Sequence, residues 1–449
     1  MAVAGRRGSD DDFTPAILER IAQAIGSSFD AAHGGFGSGQ KFPHPEAIDF
    51  ALLWAERRRD PAWQEVVLRS LVGMAQGALL DPVTGGFFRH CATRDWRQPC
   101  TEKLLLTQAG LLRNYLEAWQ IFRRDELRKV AQKVLAYVEH TLRDPVGGGW
   151  FAAQEANDAW YALPERLRAD RKPPRVELVV EARPLAAAIS AFLKAGAVLR
   201  DETATRRALE ATRFLVDAMV VRGRGVYHSA AGGERQILGL LGDTVFALRA
   251  LLHVVQYTGD RACLEVAEDL VGVVLAKESA RYGGFFDARD DSPHFAQARR
   301  RHETLQENGL AAEALLRAGW LFARPELHAV AERALRHFAA DHPLFGYHAA
   351  EYGRALDLHF HPPLLLLVAG DAADPRTAAL LEVARRSWVP SKLVLPLDPV
   401  HDGARLERHG IVASGATARA HVRVGEREIA CVHSPEALAD AIAAAAAQG

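Results

Sequence analysis

Gly34-Gly35-Phe36-Gly37-Ser38-Gly39-Gln40-Lys41-Phe42-Pro43-His44-Pro45 is a glycine-rich loop that runs straight into a proline-opened helix. Glycine lets such a loop take positive φ and lie close to other backbone, and proline suits the first helical turn. The aromatic residue gives the loop an anchor in the core. The same punctuation returns at Gly85-Gly86-Phe87-Phe88, Gly148-Gly149-Trp150-Phe151, Gly225-Val226-Tyr227, Gly283-Gly284-Phe285-Phe286 and Gly346-Tyr347. Copies spaced by roughly 50 to 75 residues mark a repeat architecture.

Between the loops, leucine, alanine and aromatic residues recur every three or four positions with charges on the other face, the signature of amphipathic helices. About twelve are predicted, at 14–28, 44–58, 61–79, 102–123, 125–142, 181–200, 202–220, 237–258, 260–277, 304–322, 324–340 and 349–359. Each glycine loop follows an odd helix. The breaks from even to odd helices are short: Arg59-Asp60-Pro61, Arg124-Asp125, Arg200-Asp201, Gly259-Asp260 and Arg324-Pro325, where aspartate can cap the next helix. All the long loops therefore gather at one end. The pattern predicts a mainly α chain, an (α/α)6 toroid in which the even helix of each hairpin lines the centre.

The expected division is a disordered tail at 1–12, the toroid at 13–361 and a small α/β subdomain at 362–449. In the last, Leu364 to Val368, Leu393 to Leu397, Thr417 to Val424 and Ile429 to Val432 read as strands, and Ser434-Pro435-Glu436 opens a final alanine-rich helix. The irregular stretch from Gln154 to Leu178 is expected to cross the loop face.

The chain has 449 residues, 49% hydrophobic and 25% charged, with 55 Lys and Arg against 56 Asp and Glu. That is the composition of a globular protein with a large core and no overall field for nucleic acid or an acidic membrane. Cys91, Cys100, Cys263 and Cys431 form no Cys-x-x-Cys pair, which argues against a disulfide framework and fits a cytoplasmic location. No stretch reads as a membrane span. With neither a phosphate loop nor a dinucleotide fingerprint, no nucleotide cofactor is expected.

Candidate chemistry lies where even helices meet the loop face. Lys41 and His44 stand at the second helix, Glu102 and Lys103 at the fourth, Asp243 in the eighth and Glu307 with Asn308 in the tenth. A buried aspartate is rare without a partner, which singles out Asp243. Glu102 and Asp243 are expected to face the central cavity as an acid and base pair, with Lys41, His44, Lys103, Glu307 and Asn308 binding substrate. His33, His90 and His228 read as surface loop histidines, and no histidine has zinc-motif spacing, so no metal is assigned.

These residues resemble the helical part of the thioredoxin-domain-containing, spermatogenesis-associated protein family. The opening Gly-Gly-Phe-Gly through Lys41-Phe42-Pro43 matches its signature, as do Glu102-Lys103-Leu104, Arg171-Lys172-Pro173-Pro174, the Asp243 helix and Ala355-Leu356-Asp357 through Pro362-Pro363. The resemblance implies an (α/α)6 region similar to N-acylglucosamine 2-epimerases and six-hairpin glycosidases. It also implies an N-terminal thioredoxin-like domain with a Cys-x-x-Cys motif, and no such motif occurs in this sequence. The family motif Pro-His-Phe-Glu-Lys-Met-Leu reads here Pro99-Cys100-Thr101-Glu102-Lys103-Leu104-Leu105. The functional expectation is a carbohydrate-active or sugar-binding toroid with an acid–base site at the loop face. The alternative is a non-catalytic scaffold that partners a separate thioredoxin-like protein.

Overall fold

Glycine loops and tight turns divide the chain into hairpins in the computed structural model, which describes residues 13–279, 283–287, 303–412 and 417–448. The expected tail at 1–12 lies outside the described residues. The long helices are α1 (Ala16–Ser28), α2 (Pro45–Arg58), α3 (Pro61–Gln76), α4 (Leu105–Phe122), α5 (Asp125–Tyr137), α6 (Ala182–Leu199), α7 (Glu202–Phe214), α8 (Leu241–Thr258), α9 (Arg261–Leu275), α10 (Leu305–Phe322), α11 (Glu326–His337) and α12 (Ala350–Phe360). The even helices touch in a closed ring in the order α2, α4, α6, α8, α10, α12 and back to α2, and the odd helices pack outside them. This is the (α/α)6 toroid.

Both kinds of connection repeat in detail. At the short turns, Arg59, Arg123, Arg200, Gly259 and Ala323 all take positive φ and end an even helix, and Asp60, Asp201 and Asp260 cap the helices that follow. At the loop end, the residue five before the second glycine closes a small hairpin: Asp30 N–H donates to Gly35 O, Asp81 to Gly86 O, Asp144 to Gly149 O and Ser279 to Gly284 O. The following aromatic, Phe36, Phe87, Trp150 or Phe285, is buried. Gly34 shows why glycine is needed, since at its φ of +73° a Cβ would meet Arg69 O at 2.3 Å. The fourth loop is instead a β-hairpin, β1 (Gly225–Ala231) with β2 (Glu234–Leu238).

Two expectations need correction. Residues 99–104 are extended, and α4 begins at Leu105 rather than at 102, because Lys103-Leu104 pairs with Ala153-Gln154 in a small sheet. α6 has the length and composition of a membrane-crossing helix, where none was expected. Its apolar faces are spent on the ring, packed between α4 and α8.

Beyond α12, β3 (Leu364–Ala369), α13 (Pro375–Arg386), β4 (Leu393–Leu397), β5 (Arg419–Val424), β6 (Arg427–Val432) and α14 (Pro435–Gln448) form an α/β unit. Its sheet runs β4-β3-β5-β6, with β3 and β4 parallel and the other pairs antiparallel. Strand periodicity explains the unbroken apolar run of β3. Leu364, Leu366 and Val368 face the unit's own helices, whereas Leu365, Leu367 and Ala369 join the toroid core.

The segment joining α13 to β4 closes the short-turn end of the ring. Ser391 Oγ donates to Asp357 Oδ2 at 3.2 Å, Val394 N–H to Gln256 Oε1 at 3.2 Å, and Gln120 Nε2 to Arg386 O at 2.6 Å. The bore thus has a floor, and its mouth is at the loop end.

Candidate functional site

Three sequence-selected residues hold the loops in place. Lys41 is fully buried, paired with Asp30 at 2.9 Å and donating to the carbonyls of Gly34 and Gly37 at 3.0 and 2.9 Å. Lys103 repeats the device one hairpin later, 3.0 Å from Asp81 and 2.7 Å from Gly85 O, with the Tyr137 ring 4.4 Å away. Burial pushes the Lys103 ammonium down to about 8 against the opposing pull of Asp81. Asn308 clamps the fifth loop, accepting from Phe285 N–H at 2.6 Å and donating to Phe285 O at 3.1 Å. Glu102 precedes α4, pairs with Arg89 at 2.8 Å and is not among the residues that line the bore.

Asp243 and Glu307 are brought together, although neither is among the residues that line the bore. Asp243 has no exposed surface; it accepts from Arg183 Nε at 3.0 Å and shares a 3.0 Å hydrogen bond with His228 Nδ1. Arg183 Nη2 continues to Glu307 Oε1 at 2.7 Å. Gly242 makes this possible, because a Cβ there would lie 2.2 Å from Arg183 Nη2. Donation to the Asp243 carboxylate raises the His228 imidazole above its ordinary 6.5, against partial burial. One third of the His228 side chain is exposed, so a buried carboxylate orients an accessible imidazole.

A second cluster sits on α2 and α12. In the ring of six, α2 lies opposite α8, which puts the two clusters on opposite sides of the ring. His44, held at φ +45° ahead of Pro45, places Nδ1 3.1 Å from Glu46 Oε1. The rings of Tyr347 and His348 lie 4.9 and 5.5 Å from that of His44. The ligating atoms of His44, Glu46 and His348 fall within 4.8 Å of one another, close enough to share a metal ion. Glu351 lines the same cavity as Glu46. Burial first, and then the charge of Glu46, push Glu351 up to about 7; its Oε2 is buried without a partner, while Gln306 hydrogen-bonds the carboxyl. Burial also acts to raise Glu46, but the hydrogen bond and charge of His44 outweigh it and hold Glu46 below the usual range. Two neighbouring carboxyls thus have opposite proton affinities, the condition for dividing acid and base roles.

Below the carboxyl pair the bore is charged. An upper cavity of about 150 Å³ and a lower one of about 140 Å³ share Asp49, Arg113, Ser190, Arg249 and His253. Single-residue reading missed these groups, although the signal is in the sequence. Glu46 and Asp49, Arg113 and Glu117, Ser190 and Lys194, Arg249 and His253, Glu313 and Arg317, and Glu351 and Arg354 are spaced three or four apart, one polar stripe per even helix.

No protein-family model matches the chain. A segment is homologous to spermatogenesis-associated protein 20 of Mus musculus, 34% identical over 142 residues, which is 31% of this chain and 18% of the mouse protein. The chain therefore matches less than a fifth of that relative. Among solved structures, cellobiose 2-epimerase from Spirochaeta thermophila superposes with a TM-score of 0.57 at 18% identity, covering 77% of this chain and 98% of the other. A glycoside hydrolase family 76 mannosidase from Bacteroides thetaiotaomicron superposes with a TM-score of 0.57 at 8% identity, covering 77% and 99%. The shared feature is the (α/α)6 toroid.

Proposed function

We propose that the mouth of the bore is an acid–base site for a sugar, which moves a proton to and from the carbon beside an open-chain carbonyl. The observation that carries this reading is Glu351, a carboxyl whose proton affinity lies near 7 and whose free oxygen is buried at the mouth. A general acid–base works best when its pKa is close to the working pH.

In this scheme the ionised Glu351 removes the proton from carbon, and the electron pair moves onto the carbonyl oxygen. The imidazolium of His228, held by Asp243, gives that oxygen a proton to form the enediol. Arg183, beside it, supplies positive charge where the oxyanion develops. An aldose–ketose isomerisation is completed when Glu351 delivers its proton to the former carbonyl carbon while the now neutral His228 takes the proton from the neighbouring enediol hydroxyl, which becomes the new carbonyl and restores both groups. Glu46 stays ionised and sustains the high proton affinity of Glu351.

The epimerase and mannosidase neighbours support a sugar as the substrate class, although their likeness to this chain is one of fold. The test is a thermal-shift screen of neutral and acidic aldoses and ketoses and of amino sugars against wild type, Glu351→Gln and Asp243→Asn. A sugar that stabilises wild type more than either variant supports the site. A panel without any such sugar removes the support, and leaves the scaffold alternative standing.

A further inference from the structure

The wall of the bore below Glu46 and Glu351 is unbalanced in charge. Arg354 bridges Asp49 at 2.9 Å and Glu313 at 3.2 Å, Arg317 reaches Glu313 at 3.0 Å, Arg249 reaches Glu313 at 3.2 Å, and Arg113 pairs with Asp49. Four guanidiniums share two carboxylates there, while Lys194 is paired separately with Glu117 at 3.6 Å. Both shared carboxylates are only 3% exposed. Leaving two positive charges uncompensated in a cavity is costly unless an anion joins them.

The hydrogen bonding points the same way. Arg113 Nε, Arg249 Nε and His253 Nδ1 are buried without a partner, and all three residues line both cavities. A buried donor left unpaired costs about 1–3 kcal/mol, so the two guanidinium N–H groups, with an imidazole nitrogen beside them, mark an unfilled acceptor position. Burial and the neighbouring guanidinium of Arg354 also push Arg113 down to about 9, against the opposing pull of Glu117. A volume of about 140 Å³ is well above the roughly 10–15 Å³ that one water needs.

We infer that the lower bore binds the oxyanion of the substrate, which makes the ligand an acidic sugar, either a sugar acid or a sugar phosphate. This rests on the sugar-site reading above and names its substrate class. The geometry limits the ligand's length. Glu46 to Asp49 and Glu351 to Arg354 are each three residues of helix, about 5 Å of rise. The charged end therefore sits about 5 Å below the carbon that exchanges its proton, a reach of a few carbon atoms. Four guanidiniums suit phosphate and carboxylate alike, because their planar forks match either oxyanion.

The experiment titrates the full chain with inorganic phosphate, acetate and chloride at equal ionic strength, reading thermal shift and calorimetric affinity. Saturable stabilisation by phosphate is expected for a sugar phosphate site, and by acetate for a sugar acid site. Arg113→Gln should weaken that affinity at least tenfold; Asp49 keeps Arg354 and Asn114 as partners, so the fold stays supported. Ser190→Glu places a carboxylate inside the cavity and should raise the Tm of the anion-free protein while abolishing the response to phosphate or acetate. Phosphate and acetate behaving like chloride, or both variants responding like wild type, would overturn the inference. The sugar-site reading fails separately: anion binding with no sugar, neutral or acidic, recognised beyond its free anion would leave the oxyanion site without that reading, and neutral sugars without anion binding would do the reverse.

Discussion

Replacing Glu351 with glutamine should make the protein more stable and inactive at once. The ordinary value of its carboxyl is 4.5 and the folded value is about 7, raised by burial and by Glu46. At about 1.4 kcal/mol per tenfold in proton affinity, the gap amounts to about 3 kcal/mol. The sign follows from which state holds the proton. Below pH 4.5 both states keep it and nothing is lost; between 4.5 and 7 only the unfolded chain releases it; above 7 the folded protein carries the full cost of a buried charge. Glutamine removes that cost. Glu351→Gln should therefore equal wild type in stability near pH 4 and exceed it by about 3 kcal/mol at pH 8. With about 2.1 cal/mol/K of unfolding entropy per residue, a 449-residue chain converts this to roughly 3 °C in Tm. Thermal melts of both proteins at half-unit steps from pH 4 to 8 read the difference directly. A variant no more stable than wild type at pH 8, or a gap that does not change with pH, would refute the reasoning.

Gly242→Ala should retain the fold, since alanine favours a helix by up to about 1 kcal/mol, yet its Cβ expels Arg183 from between Asp243 and Glu307; an unchanged Tm with lost turnover is the expected pair of readings. Lys103→Met removes one partner of the buried Asp81 and should cost about 3 kcal/mol in a urea melt, the low end of the range because Arg168 still reaches Asp81 at 2.9 Å. The rate should be bell-shaped in pH, rising as Glu351 ionises near 7 and falling as the raised His228 loses its proton. In Asp243→Asn the alkaline limb should move to lower pH, because the hydrogen bond that raises His228 is gone.

The toroid was legible because glycine, proline and short aspartate turns are local signals, and each recurs around the ring. The positions of Asp243 and Glu307 were legible for a related reason: both interrupt an apolar pattern at the loop end of an even helix. Lys41 and Lys103 were misleading since a lysine beside a glycine loop can serve a ligand or staple the loop. What decides is the aspartate that each one finds, Asp30 and Asp81, at the far side of its loop. His228 was read as a surface residue because nothing local ties a hairpin histidine to an aspartate 15 positions later. The charged bore was illegible helix by helix. Arg113, Arg249, Glu313 and Arg354 each look like part of a solvated face, and only closure of the ring turns those faces inward.

Proton exchange at carbon is the chemistry assigned to the mouth, and deuterium incorporation from D2O measures it without knowledge of the product. Neutral and acidic aldoses and ketoses, incubated with the full chain and followed by proton NMR, should include one that loses the signal of the hydrogen beside its carbonyl. That loss should disappear in Glu351→Gln, which stays folded and gains stability at pH 8. Exchange that persists in Glu351→Gln, or no exchange in any sugar of the panel with the wild-type protein, would contradict the assignment.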